Sequence, residues 1–315
     1  MALDFNPNQR NAQDFLIPEK KESWFSVLVA TLFAEPKIHG VDVSHHNDVD
    51  FFALKNSGVE FVILKATEGK DWVDDRFAEY WRKALDAGLL VMTYHFFRSN
   101  FGGSEQAKHH NDTIQEFLSA SGYESPVIWF DIETEDGATI SQRRNRLVAA
   151  HQTAEALGYQ SGHYSSPYLW GKLIGDVPWA YNYYGWIAHW TSANKPNLPL
   201  GWTEEKTKVW QYGIYPRYSW TQPVEGVDGD VDVDWFFGTK ENLEQLLGVK
   251  SAVECCDELK AEIVQLKEQI TSLKQWKSVQ DADIISLDQR LNSTNARVGN
   301  IEELVQSIKD IFCVE

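Results

Sequence analysis

The chain has 315 residues, of which 43% are hydrophobic, and it carries a formal net charge of −17. This charge repels polyphosphates and disfavours a nucleic-acid-binding protein, and no apolar run approaches the ~20 residues that a membrane span needs. The three cysteines form no C-x-x-C pattern, so no metal site is expected. Nothing in the sequence calls for a cofactor.

Residues 1–37 are expected to form an N-terminal extension and a possible docking segment. They are polar except for a short apolar stretch, residues 24–34, which is followed by Pro36. The long polar lead before that stretch is atypical of a signal peptide, so no convincing cleaved signal is expected.

An alternation of strands and helices is predicted from residue 38 onward. The strands are rich in β-branched and aromatic residues, and glycines close most of the helices. The predicted strands cover residues 38–44, 60–66, 89–96, 126–134 and 160–164, and the predicted helices cover residues 48–56, 74–87, 104–121 and 141–157, with a short helix from Pro167. Two further strands are predicted at 184–190 and 208–212, and residues 226–234 are expected to be turn-rich. We therefore predict an α/β fold, an irregular (β/α) barrel over residues 38–248.

The strand at residues 126–134 ends in two carboxylates, Asp131 and Glu133. Side chains alternate along a strand, so both point to one face, with Cα atoms roughly 6.6 Å apart. Repulsion and burial can leave one neutral while the other is charged. Acid-assisted cleavage of a glycosidic bond requires one protonated carboxyl group and one ionised carboxylate. A solvated strand end or a helix cap is the structural alternative.

The same two acids admit a second chemical interpretation. Residues 130–134 resemble the first motif of the DnaQ-like 3′–5′ exonucleases, in which the acids hold Mg²⁺. Three strand-and-helix units precede this strand, whereas the exonuclease strand opens its domain. No convincing second or third acidic motif follows, so the exonuclease interpretation is disfavoured.

Other polar residues fall at or just beyond predicted strand ends, where barrel enzymes place their chemistry. They are Asp42, Glu68, Tyr94, His95 and Tyr164. We interpret Glu68 as a structural partner of Lys65 or of a turn.

Several motifs in the same order resemble the glycoside hydrolase family 25 lysozymes, the N-acetylmuramidases. They are residues 40–47 (GVDVSHHN), 58–69 (GVEFVILKATEG), 77–81 (FAEYW), 87–91 (AGLLV), 94–96 (YHF), the acidic pair, 164–167 (YSSP), 186–190 (WIAHW), 210–212 (WQY) and 229–232 (GDVD). The resemblance covers about residues 38–238. It implies an irregular barrel and hydrolysis of the β-1,4 bond between N-acetylmuramic acid and N-acetylglucosamine in bacterial peptidoglycan.

The resemblance also implies roles for the acids. Glu133 matches the general acid that protonates the leaving oxygen. Asp131 matches the carboxylate that stabilises developing positive charge by orienting the substrate's own N-acetyl group, or that attacks directly. Asp42 and Asp232 match further acids of the cleft, with Asp230 as the alternative to Asp232.

Four more residues match family positions near the saccharide. They are Tyr94, Tyr164, Trp190 and Gln211. Packing of the barrel is the alternative role for each.

Residues 249–315 stand where many family members carry wall-binding repeats. They are predicted to form one long helix with an apolar heptad, a coiled-coil oligomerisation stalk, with Lys277, Gln280 and Thr294 setting its register. The pattern favours a dimer and leaves a trimer open. Cys255 and Cys256 suggest interchain bridging.

These features predict an oligomeric peptidoglycan hydrolase in a wall-penetrating particle. Such a protein would be extracellular or associated with a virion or injection particle, with particle or baseplate proteins as possible partners. The alternative is a structural or wall-binding component of a phage tail or injection device with little activity.

Overall fold

A computed structural model describes residues 36–124, 126–249, 252–277 and 284–312. Nearly all of the predicted N-terminal extension, residues 1–37, lies outside this part of the chain. None of the described helices is long and apolar enough to cross a membrane.

Eight of the nine described strands close into a barrel. The strands are β1 (Lys37–Val43), β2 (Phe61–Glu68), β3 (Trp72–Val73), β4 (Leu90–Phe96), β5 (Ile128–Asp131), β6 (Ser161–Ser165), β7 (Tyr184–Ala188), β8 (Thr207–Tyr215) and β9 (Val231–Phe237). Their order is β1-β9-β8-β7-β6-β5-β4-β2-β3, and β1 also pairs with β2. This last pairing joins the two sides of the sheet, so the predicted barrel is confirmed, with β3 attached outside the ring.

The irregularity of the barrel lies at β9. This strand is antiparallel to both of its neighbours, β1 and β8, whereas the other ring pairings are parallel. The expectation of a turn-rich segment at 226–234 is correct for the glycine turns at Gly226 and Gly229, which have positive φ. It is wrong from Val231 onward. There valine alternates with aspartate, and the valines are buried.

Helices connect the parallel strands and cover the barrel. They are α1 (Phe51–Asn56), α2 (Phe77–Asp86), α3 (Gly103–Ser121), α4 (Ile140–Ala156) and α5 (Pro167–Leu173), and α6 (Lys240–Leu247) follows β9. Local chemistry fixes their ends: Asp50 caps α1, a Thr139–Gln142 capping box begins α4, and left-handed Gly122 ends α3. The core includes five fully buried tryptophans, Trp81, Trp129, Trp170, Trp186 and Trp210.

The C-terminal residues form two helices that pack on each other. These are α7 (Ala252–Lys277) and α8 (Ile284–Phe312). Lys267 Nζ lies 2.8 Å from Glu302 Oε1. In one continuous helix these residues would be about 50 Å apart, so the prediction of a single long helix is wrong. The six residues 278–283 span at most about 20 Å, which is too short for parallel packing, so α7 and α8 form an antiparallel hairpin.

The heptad pattern explains the hairpin better than it explains a stalk. Ile263, Leu266, Ile270, Val298 and Val305 form a buried cluster within the hairpin. Of the residues expected to set register, Lys277 is the last residue of α7, Thr294 lies on α8, and Gln280 lies outside the described residues. The apolar heptad positions of α7 thus pack against those of α8 in the same chain, and the short connection makes the entropic cost of closing the loop small. The side chains of Cys255, Cys256 and Cys313 lie outside the described part.

Candidate active site

Asp131 and Glu133 lie where β5 reaches the rim of the barrel. Asp131 is the last residue of β5, and its side chain is buried. The chain beyond it is held against β6, because Ile132 N–H donates to Tyr164 O (2.9 Å) and Ser165 Oγ donates to Ile132 O (2.8 Å). These bonds extend the strand by one residue and bring Glu133, which is half-buried, beside Asp131.

Burial changes the protonation of both acids. It raises the pKa of Asp131 well above its ordinary value, and the neighbouring Glu133 raises that pKa further. Burial also raises the pKa of Glu133. Because the two carboxyls interact, they titrate as a pair. The pair therefore retains a proton at a pH where an exposed carboxyl has lost it, as a general acid requires.

Lys65 is a buried cation close to this pair. It lies on β2, its Nζ contacts Glu68 Oε2 at 2.8 Å, and its charge lowers the pKa of both Asp131 and Glu133. The expected Lys65–Glu68 contact is therefore present. Arg98 also reaches Glu68, at 3.3 Å. The ammonium opposes complete protonation of the acidic pair.

Asp42 and Asp232 face each other across the seam between β1 and β9. They are direct partners in the antiparallel register, and both are half-buried. Burial raises the pKa of Asp232 to about 8, with Asp42 and Glu133 adding to the shift. Asp230, by contrast, precedes β9, is exposed and forms an ion pair with Arg217. The structure thus groups Asp232, and not Asp230, with the other acids.

Asp234 belongs to this acidic group and was missed by the sequence analysis. It is completely buried, and its Oδ1 accepts a 2.8 Å hydrogen bond from Trp186 Nε1. Burial raises its pKa to about 7. The alternation of β9 already places Asp234 on the same face as Asp232, so the signal was present in the D-x-D spacing.

Gln211 connects three of the predicted cleft residues. Its Oε1 accepts from Tyr164 Oη (3.0 Å) and Trp190 Nε1 (2.9 Å), and its Nε2 donates to Asp42 Oδ2 (2.8 Å). Tyr94 lies on the opposite wall, where its ring contacts that of Trp186 at a centroid distance of 5.8 Å. The predicted site residues therefore converge on one end of the barrel, where Asp230 is exposed and paired with Arg217.

A cavity of about 500 Å³ opens beside Glu133. Two of its aromatic walls are strongly exposed, Tyr168 at 74% and Trp190 at 45%. Exposed aromatic faces suit the apolar faces of sugar rings. The remaining lining residues are Tyr164, Ser166, Pro167, Leu169, Ala188, His189 and Asn197. Across the described residues, no group of three or more His, Cys, Asp or Glu is placed to hold a metal ion.

Comparisons with known proteins agree on one family. The family model described as Glycosyl hydrolases family 25 matches residues 41–237. Lysozyme M1 of Streptomyces globisporus is 28% identical over 223 residues, which cover 65% of this chain and 70% of that protein.

Two solved structures are similar to the barrel. The bacterial lysozyme from Streptomyces coelicolor has a TM-score of 0.55 and 28% identity, and the alignment covers 67% of this chain and 97% of that one. A family GH25 lysozyme from Aspergillus fumigatus has a TM-score of 0.55 and 25% identity, with 67% and 99% covered.

Proposed function

The chain belongs to the glycosyl hydrolases of family 25, and on that premise we propose that it cleaves the β-1,4 bond between N-acetylmuramic acid and N-acetylglucosamine with Glu133 and Asp131. The chain is a glycoside hydrolase, and its lysozyme relatives support peptidoglycan as the substrate. The choice of bond and the roles of the two acids are the parts that we add.

The observation that carries this proposal is the coupled acidic pair beside an open cavity. Glu133 is the half-buried member and lines the cavity, so it can reach a bound glycosidic oxygen. Asp131 is the more buried member, and its Oδ1 has no hydrogen-bond donor among the described residues. Because this oxygen is buried, its lack of a donor favours a proton on the acidic pair over a second negative charge.

In the proposed reaction, Glu133 gives its proton to the leaving oxygen as the bond from the anomeric carbon breaks. Asp131 accepts a hydrogen bond from the N–H of the substrate's acetamido group. The carbonyl oxygen of that group then attacks the anomeric carbon to form a cyclic intermediate. Water then attacks that carbon and returns a proton to Glu133. Direct attack by Asp131 is the alternative second role.

The remaining cleft residues are proposed to bind the glycan. Asp42 and Asp232 present carboxyl oxygens to sugar hydroxyl and amide groups. Trp190 offers an exposed ring, and Gln211 holds it beside the cleft through the Nε1 hydrogen bond. Tyr94 and Tyr164 line the walls near the acidic pair, and burial, with a further contribution from the acids, raises the pKa of both.

We also propose that the hairpin of α7 and α8 mediates self-association. Its internal cluster leaves Val264 55% and Leu304 52% exposed, and a second hairpin would cover them in a four-helix bundle. A dimer is the simplest such assembly, and a trimer is the alternative.

An oligomer of this kind suits a wall-cutting component of an extracellular particle or virion, which would bring particle or baseplate partners. The competing role is a structural or wall-binding component with little activity. The hairpin is compatible with both the wall-cutting and the structural role, because its apolar cluster is separate from that of the barrel.

Digestion of purified peptidoglycan tests the proposed reaction. Mass spectrometry should find fragments with reducing N-acetylmuramic acid ends, and the Glu133→Gln variant should release almost none. Walls that stay intact, or are cut only at peptide bonds, would refute the proposed reaction. Intact walls that nevertheless retain bound protein would support the binding role.

A further inference from the structure

Asp42 and Asp234 lie on the same face of the β1–β9 seam, close enough for each carboxyl group to influence the pKa of the other. Asp42 is on β1, and Asp234 lies across the seam on β9, opposite Gly40. Two ionised carboxylates repel each other at this distance, and only a proton between them makes the contact favourable.

The neighbouring donors show where that proton lies. Trp186 Nε1 can only donate, so Asp234 Oδ1 is an acceptor. Trp190 Nε1 likewise donates to Gln211 Oε1, which fixes the orientation of the Gln211 amide. The Gln211 Nε2 group must therefore donate to Asp42 Oδ2, which is also an acceptor.

Asp234 Oδ2 is the atom that remains. It is buried, and no N–H or O–H group among the described residues donates to it. A buried carboxylate oxygen without a donor is costly. A proton shared with Asp42 removes that cost and reduces the negative charge of the cleft by one.

We propose that Asp42 and Asp234 share a single proton, and that Asp234 is thereby a positioning residue that holds the Asp42 carboxylate toward the cleft. The shared proton is inferred from the strand register, the neighbouring donors and the unpartnered Asp234 Oδ2. The consequence for catalysis rests on the proposed function, in which Asp42 binds the glycan. Asp234 itself is completely buried and acts only through Asp42.

Other titratable groups surround the pair and contribute to any pH dependence. The acids are Asp131, Glu133, Asp232 and Asp230, and the cations are Lys65 and Arg217, which lower the pKa of Asp131 and Asp232, respectively. The other groups are Tyr94, Tyr164, Tyr212 and His39. A test must therefore change Asp234 alone and keep these groups intact.

Asp234→Asn makes that change, because an amide of nearly the same shape still accepts from Trp186. Its N–H₂ group donates to Asp42 permanently, so the proton can no longer be lost. The variant should keep activity within about threefold at its optimum. The alkaline arm of its pH–activity profile should shift upward by about one unit or more. Asp234→Ala leaves Asp42 without this partner, and its kcat/KM should fall roughly tenfold or more.

Infrared spectroscopy gives a readout that does not need activity. Wild-type protein near neutral pH should show one more protonated carboxyl group than Asp234→Asn, while exposed Glu225→Gln serves as the matched control and should not change that count. An equal count in wild type and Asp234→Asn would overturn the shared proton. An unchanged pH profile in both Asp234 variants of an active enzyme would overturn the positioning role. A wild type that fails to cut peptidoglycan would refute the proposed function but leave the infrared result decisive for the pair.

Discussion

Arg98 Nη2 lies 2.8 Å from Asp136 Oδ1, and this ion pair fastens the loop after Glu133 to the end of β4. The other oxygen of Asp136 accepts from Ser99 N–H (2.7 Å) and from Thr134 Oγ1 (2.9 Å). Asp136 also adopts φ of 47°, which is unusual for a residue other than glycine. Because Thr134 directly follows Glu133, these contacts restrict the position of the proposed acid.

Replacing Asp136 with alanine should lower kcat by roughly tenfold, because Thr134 and Arg98 lose a shared anchor and the Glu133 carboxyl loses its fixed position. KM should change little, since Asp136 faces the loop and not the cavity. Steady-state kinetics on soluble peptidoglycan fragments measure both constants. Glu135→Gln is the control, because the Glu135 side chain is exposed and pairs with Lys172 at the surface. Equal kcat in Asp136→Ala and wild type would show that the loop does not position the acid.

Glu133→Gln should reduce turnover by on the order of 10²-fold or more, because an amide of the same shape delivers no proton. The fold and glycan binding should persist. Turnover on peptidoglycan, with circular dichroism as the folding control, measures the effect. Near-normal turnover would show that another group is the acid.

Asp131→Asn should also be severely impaired, because the negative charge opposite the reacting carbon is lost. If Asp131 only orients the acetamido group, the variant forms no covalent adduct and releases the same products more slowly. Trapping a glycosyl-enzyme by mass spectrometry would instead support direct attack. Wild-type turnover would exclude both roles.

The sequence predicts the barrel well because its strands are continuous apolar runs closed by polar or glycine-containing turns. It fails at β9, where Asp232 and the buried Asp234 occupy one face of the strand and break the usual pattern of apolar residues facing inward. For the same reason Asp234 was overlooked, although its spacing from Asp232 was visible. The hairpin was missed for another reason. A heptad pattern predicts that one face of a helix is buried, but it does not predict whether the same chain or another chain covers that face.

The acids of β9 also make stability depend on pH. The folded-state pKa of Asp232 is about 8 and that of Asp234 about 7, both above the ordinary value. The folded state therefore binds protons that the unfolded state has released, and the free energy of unfolding falls as pH rises through these values. Buried His39, with a pKa of about 4, has the opposite effect, but only below about pH 6.5.

Between pH 6.5 and 8 the free energy of unfolding should consequently decrease, by up to about 1.4 kcal/mol per pH unit for each proton released. Urea unfolding at both pH values measures this change. In Asp232→Asn the decrease should be smaller, because the amide does not ionise. A stability that rises over this interval would mean that other groups determine it.

A chain that ends at Val249 should fold without the hairpin and remain active. Val249 forms a bridge with Tyr123, and Glu124 N–H donates to Gly248 O (3.0 Å), so this end point keeps the last contacts of the barrel. The buried cluster of the hairpin is separate from that of the barrel, and every proposed site residue precedes residue 239. Removing α7 and α8 therefore takes nothing from the catalytic end.

Self-association should disappear with the hairpin. Full-length protein is expected to be an oligomer, because Val264 and Leu304 are about half exposed and burying them is worth roughly 1–1.5 kcal/mol per side chain. The half-covered Leu259, Leu291 and Ile301 can add to that area. Light scattering should give a multiple of the 36.1 kDa chain for full-length protein and a monomer for the shortened one. Leu304→Gln should weaken the oligomer without changing the turnover of soluble fragments. A monomeric full-length protein would refute the assembly, and a shortened protein that folds but is inactive would show that the hairpin contributes to catalysis.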